Sequence, residues 1–144
     1  MRKRASPKLS ASDIVAIEQL NARFALAFDE VLPDPATAWA GTFAPDGKFT
    51  VCDSQGTVQM HASGTEELIA LHRKIANPAI RHWYTNLLIE RERAGTARMR
   101  CYFISLDAGT KTIVRTAIYG DTLVKLRGQW KFKSRTSTLD AGSS

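Results

Sequence analysis

The sequence predicts an α+β domain in which a curved antiparallel sheet wraps around three helices from the first half of the chain. Three observations carry that expectation. Apolar residues of the first third recur every three to four positions, as on one face of a helix. From Arg81 onward the pattern changes to runs of branched and aromatic residues separated by glycine-containing turns. Helices followed by consecutive hairpins assemble as helices on one face of an antiparallel sheet.

Ser10 or Ser12 caps a first helix over about 13–30, with Ile14, Ile17, Leu20, Phe24 and Phe28 on one face. Asp29 closes it, and Pro33 and Pro35 forbid continuation. A carboxylate in the last turn opposes the helix dipole at a cost of roughly a few tenths of a kcal/mol, so Asp29 calls for a partner. Asp34 or Thr37 caps a short second helix over 36–43, which sets Trp39 and Phe43 on one side. Pro45-Asp46-Gly47 reads as a turn before a hairpin formed by 48–52 and 57–61. Gly64 breaks that hairpin, and a third helix over 65–75 follows. Its His72, beside Arg73 and Lys74, is expected at the surface.

The second half is strands over 81–90, 97–106, 112–126 and 129–138. In the last of them Trp130 and Phe132 are expected to point inward, and Lys131, Lys133 and Arg135 outward. The first, Arg81-His82-Trp83-Tyr84-Thr85-Asn86-Leu87-Leu88-Ile89, carries apolar residues on both parities. That pattern predicts a strand covered on both faces, with His82 set against packed protein, either as a core histidine satisfied by a carbonyl or as a working group. Apolar residues on the outer parity predict association through the convex face of the sheet. A cavity between sheet and helices is the expected ligand site.

At 144 residues, with 44% apolar and 24% charged residues, the chain is one domain. Residues 11–139 form it, between a disordered basic tail (1–10) and a frayed end (140–144). No apolar run reaches the length of a membrane span and no apolar segment follows the basic start, so a cytoplasmic protein without membrane contact is expected. The net charge of +6 is uneven. Removing Arg2, Lys3, Arg4 and Lys8 from the 20 basic residues leaves 16 against 14 acidic ones, so nucleic acid is not the expected partner. Cys52 and Cys101 are expected as reduced, buried thiols. His61, His72 and His82 form no metal-ligand spacing, and no glycine-rich phosphate loop is present, so neither a metal nor a cofactor is expected.

The ordered segments resemble a known family. They are Ala16-Ile17-Glu18-Gln19-Leu20-Asn21-Ala22-Arg23-Phe24-Ala25 running to Asp29, Trp39 with Phe43-Ala44-Pro45-Asp46-Gly47, and Gly64-Thr65-Glu66-Glu67-Leu68. Arg81-His82-Trp83-Tyr84-Thr85-Asn86, Tyr119-Gly120-Asp121 with Leu123-Val124-Lys125, and Gly128-Gln129-Trp130-Lys131-Phe132 continue the set. Over about 13–138 the chain is similar to the SnoaL-like branch of the NTF2-like superfamily, which are cone-shaped α+β barrels. In this branch, scytalone-dehydratase-like and hexachlorocyclohexane-dehydrochlorinase-like enzymes pair a histidine on the matching strand with an aspartate ending the first helix. The resemblance puts these roles on His82 and Asp29. It implies a cofactor-independent lyase or isomerase acting on a small hydrophobic or cyclic molecule, in a homodimer or homotrimer. Phe24, Phe28, Trp39, Phe43, Cys101 and Ile118 are the candidate apolar wall. The chain departs from the pattern at Phe24, where a tyrosine is frequent, so no hydroxyl is offered there to polarise a substrate oxygen. It departs again at Ala117, where glycine is frequent. The alternative is a non-catalytic ligand-binding or assembly subunit, as in the small subunits of ring-hydroxylating dioxygenases.

Overall fold

The computed structural model describes residues 8–143. Three helices, α1 (Ala11–Phe28), α2 (Pro35–Ala40) and α3 (Thr65–Ile75), lie against a sheet of six strands. These are β1 (Phe43–Cys52), β2 (Val58–Ser63), β3 (Ile80–Arg93), β4 (Thr96–Asp107), β5 (Ile113–Leu126) and β6 (Gln129–Leu139). Their order is β2-β1-β6-β5-β4-β3, a curved sheet left unclosed between β2 and β3. The expectation of an all-antiparallel sheet needs one correction, since β1 runs parallel to β6.

Ser10 is the cap of α1. Its Oγ accepts from the Asp13 N–H at 3.0 Å, and the Asp13 carboxylate accepts from the Ser10 N–H at 3.3 Å. Asp13 Oδ1 also accepts from Trp130 Nε1 at 2.9 Å and Lys125 Nζ at 3.0 Å, which ties the start of α1 to the β5–β6 hairpin. The second helix is shorter than expected. It ends at Ala40, and Phe43 opens β1 yet still packs on Trp39 with ring centroids 5.5 Å apart. Pro45-Asp46-Gly47 lies within β1, where the register with β6 breaks between Phe43 and Lys48. Gly47 is required there, because a Cβ would sit 2.7 Å from the Cβ of Phe43 and 2.9 Å from the carbonyl oxygen of Ala44.

Bulges correct two inferences about which way strands face. In β3 the register jumps from Thr85↔Tyr102 to Leu88↔Arg100, and Asn86 takes the left-handed conformation (φ 57°). The extra residue switches the inward set from His82 and Tyr84 to Leu87 and Ile89. Apolar residues on both parities therefore do not mean two covered faces: Trp83 and Leu88 are 57% and 55% exposed on the outer face. In β6 the register slips at Lys133, between Thr122↔Ser134 and Leu123↔Phe132. Trp130 and Phe132 point inward as expected, but Arg135 turns inward too and is fully buried.

Arg135 sits among Phe24, Phe132, Tyr119 and Tyr84, with its guanidinium carbon 4.2–4.9 Å from their ring centroids. Nε and Nη2 donate to the two oxygens of buried Asp121 at 3.0 and 3.1 Å, and Nη2 also donates to Asn21 Oδ1 at 2.7 Å. Burial raises the Asp121 carboxyl above its ordinary value against the pull of Arg135. Around this centre lie Ile17, Trp39, Phe49, Leu68, Met99 and Leu123.

The tail expected as disordered falls, for residues 1–7, outside the described residues. At the C-terminal end expected to fray, two residues make contacts with β5. Thr116 Oγ1 donates to Asp140 Oδ2 at 2.7 Å, and the Thr116 N–H donates to Ser143 Oγ at 3.2 Å. No helix among the described residues is long and apolar enough to cross a membrane.

Two outcomes follow from this core. Arg135→Met strands the Asp121 carboxylate and should lower unfolding free energy by about 3–5 kcal/mol in urea titration, while Asp121→Val combined with Arg135→Met should recover most of it. Burial also pushes the Cys101 thiol from 9.0 up to about 11. A thiol held neutral in the fold contributes stability fully below about pH 9, lost as pH rises toward about 11. Thiol titration of the native protein at pH 8 should label half-buried Cys52 well before Cys101.

Candidate active site

The end of α1 and the first half of β3 meet at Asp29 and His82. Asp29 is the C-cap of α1, its own N–H donating to the Ala25 carbonyl at 2.9 Å. Its carboxylate is buried and grips His82 twice. His82 Nδ1 lies 2.5 Å from Oδ1, and the His82 backbone N–H donates to Oδ2 at 3.2 Å. Aromatic rings fix the plane of the imidazole: Phe28 at 4.0 Å between centroids and Phe103, near-parallel, at 5.6 Å. The helix-end carboxylate, unfavourably placed for the dipole, thus finds two N–H donors on one residue.

His82 borders a cavity of about 720 Å³ between the sheet and the loop after α3. Phe28, Phe103, Ile80, Ser105, Tyr119 and Asn77 are among the residues that line it with His82. A second, polar recess of about 500 Å³ reaches His82 from the other side, past Asn21, Tyr84 and the Asn86 bulge. Between the two, Tyr84 donates to the Tyr119 hydroxyl at 3.3 Å. Burial raises both phenols above their ordinary value, so both stay protonated donors.

Of the expected wall residues, only Phe28 lines the cavity. Phe24, Trp39 and Phe43 form the packed aromatic core, and Cys101 lies beneath it, its Sγ 4.0 Å from Arg135 Nη2. Ile118 faces the other way: it pairs with exposed Tyr102 on the outer side and is itself 49% exposed. The strict alternation of β5, with Ala117, Tyr119 and Asp121 inward, excludes it from the cavity. His72, expected at the surface, is buried between Phe28 and Trp39, and its Nε2 donates to the Ala27 carbonyl at 2.9 Å. It adds a second donor to a carbonyl that already accepts from the Glu30 N–H at 3.2 Å. Ser105 went unnoticed in the sequence, and Tyr119 entered only within the Tyr119-Gly120-Asp121 segment, not as a site residue. The signal for Ser105 was its place after Ala97, Met99, Cys101 and Phe103 on the inward parity of β4. No metal-binding cluster of His, Cys, Asp or Glu occurs among the described residues.

The comparisons with known proteins agree with this architecture. A protein of unknown function with a cystatin-like fold from Nostoc punctiforme superposes with TM-score 0.79 at 25% identity, covering 94% of this chain and 97% of that one. A scytalone dehydratase candidate from Novosphingobium aromaticivorans gives TM-score 0.72 at 23% identity, over 90% and 85% of the two chains. The β subunit of an aromatic-ring-hydroxylating dioxygenase candidate from the same organism gives 0.74 at 20% identity, over 92% and 93%. No curated protein matches the sequence. The SnoaL-like domain family matches residues 10–136, nearly the whole α+β unit, and the chain belongs to that family.

Proposed function

We propose that the protein is a cofactor-independent lyase or isomerase acting on a small hydrophobic or cyclic molecule, with His82 as general base and Asp29 orienting it. The observation that carries this reading is the 2.5 Å contact between His82 Nδ1 and Asp29 Oδ1 at the cavity wall. A carboxylate accepting from Nδ1–H leaves Nε2 as the basic nitrogen and stabilises the imidazolium once a proton is taken. Nε2 removes a proton from a carbon beside a leaving group or carbonyl, and the C–H pair becomes the new double bond. In a lyase the leaving group departs with its bonding pair and receives the proton from His82. In an isomerase the proton returns at another carbon. Neither course needs an oxidant or reductant.

The test is paired turnover and thermal stability on cyclic substrates that lose water or shift a double bond. His82→Ala should lower turnover by about 10²–10⁴-fold with the fold intact. Asp29→Asn should lower turnover with smaller effects on binding, and the double variant should be strongly non-additive. Unchanged turnover with a large loss of melting temperature would leave the pair purely structural.

A second reading, an assembly subunit, draws on the outer face. Trp83, Leu88, Tyr102 and Ile118 stand exposed there, and a dioxygenase β subunit has the same fold. On either reading we expect a homodimer or homotrimer through this face. Sedimentation should show wild type as an oligomer and the Trp83→Lys, Ile118→Lys variant as a monomer. A monomeric wild type would count against association through the sheet.

A further inference from the structure

We propose that Ser105 binds and polarises a carbonyl oxygen of the substrate, which makes the substrate a carbonyl compound with an acidic hydrogen on the neighbouring carbon. The inference rests on His82 as the base and adds the group that reads the substrate's oxygen. Ser105 is the β4 residue paired directly with His82 of β3. Directly opposed residues put their side chains on one face with Cβ atoms about 4.5–5.5 Å apart. Both line the same cavity.

Ser105 is 3% exposed, and its Oγ has no hydrogen-bond partner among the described residues. A buried hydroxyl ordinarily finds one, and the rest of this strand face (Ala97, Met99, Cys101 and Phe103) is apolar. Packing alone would be served by alanine. The hydroxyl has a use if a ligand supplies the acceptor. Of the neighbouring groups, Phe24 carries no hydroxyl, and Tyr84 already gives its O–H to Tyr119.

A base and a donor on adjacent strands converge on substrate atoms two bonds apart, the hydrogen-bearing carbon and the carbonyl oxygen. When His82 Nε2 takes the proton, the C–H pair forms a C=C bond and the carbonyl π pair moves onto oxygen. The Ser105 O–H then donates to that developing enolate. A donor aimed at oxygen gains strength as the charge builds, whereas a hydrocarbon or alkyl halide gives it nothing to meet.

2-Tetralone and tetralin, one skeleton with and without the carbonyl, separate the two roles. Wild type should bind 2-tetralone more tightly than tetralin and catalyse exchange of its α-hydrogens for deuterium in D₂O, followed by NMR. Ser105→Ala should weaken 2-tetralone binding about 5- to 10-fold, leave tetralin binding and melting temperature unchanged, and slow exchange at least tenfold. Ser105→Thr, which keeps the O–H, should retain the preference. His82→Ala should abolish exchange yet keep the preference for the ketone. Exchange surviving in His82→Ala while Ser105→Ala loses the ketone preference would remove the base and leave the carbonyl contact standing. A wild type without that preference, a Ser105→Ala variant that keeps it, or one that melts several degrees lower would overturn the proposal.

Discussion

A guanidinium in the middle of the core governs where everything else can lie. Arg135 reaches no solvent, so its charge must be answered from within the core; the neighbouring elements supply the groups, although Nη1 finds no hydrogen-bond partner among the described residues. β5 supplies Asp121 and Tyr119, β3 supplies Tyr84, β6 supplies Phe132, and α1 supplies Asn21 and Phe24. A buried ion pair is weak support for stability in itself, because desolvation offsets much of the attraction. Its effect here is on arrangement. A helix rotated or slid along the sheet would withdraw Asn21 and Phe24 from the charge. With α1 held in place by these residues, its last turn arrives at β3 with Asp29 against His82.

That arrival joins two demands in one carboxylate. As a C-cap, Asp29 sits where the helix's unpaired carbonyls make an anion unwelcome. As the partner of His82, it accepts both the backbone N–H and the ring N–H of that residue, and the compensation comes from the group it orients. The neighbouring carbonyl of Ala27 accepts both the Glu30 N–H and His72 Nε2. Two histidines therefore meet the end of α1, one sealed in the core and one facing the cavity.

How much of this was legible follows from geometry. α1, α3 and the four long strands show in the sequence because periods of 3.6 and 2 belong to the backbone. The Ser10 cap shows too, whereas the Asp34 expected to cap α2 makes no side-chain cap bond. Facing beyond a bulge does not show, because one extra residue reverses every later side chain. Asn86 and Lys133 each did this, hiding Arg135 in the core and making β3 look covered on both sides. His72 was misplaced by its charged neighbours although it shares a stripe with Leu68 and Ile75. Asp29 and His82 were each placed correctly on their elements. Their meeting across 53 residues was foreseen through family resemblance, since no local pattern encodes it. Ser105 was within reach of alternation alone.

The bulge at Asn86 has a further consequence at the border of the sheet. An unclosed sheet offers two rows of unpaired backbone groups, here on β2 and β3, to any strand from another chain. β2 is only six residues long. β3 is long, but its hydrogen-bonding row is broken near the middle by a left-handed residue, and it ends in Glu90-Arg91-Glu92-Arg93. A strand docking there would lose register halfway and meet alternating charge beyond. Uncontrolled edge-to-edge growth is thereby disfavoured, and the faces of the sheet remain the surfaces through which copies can meet.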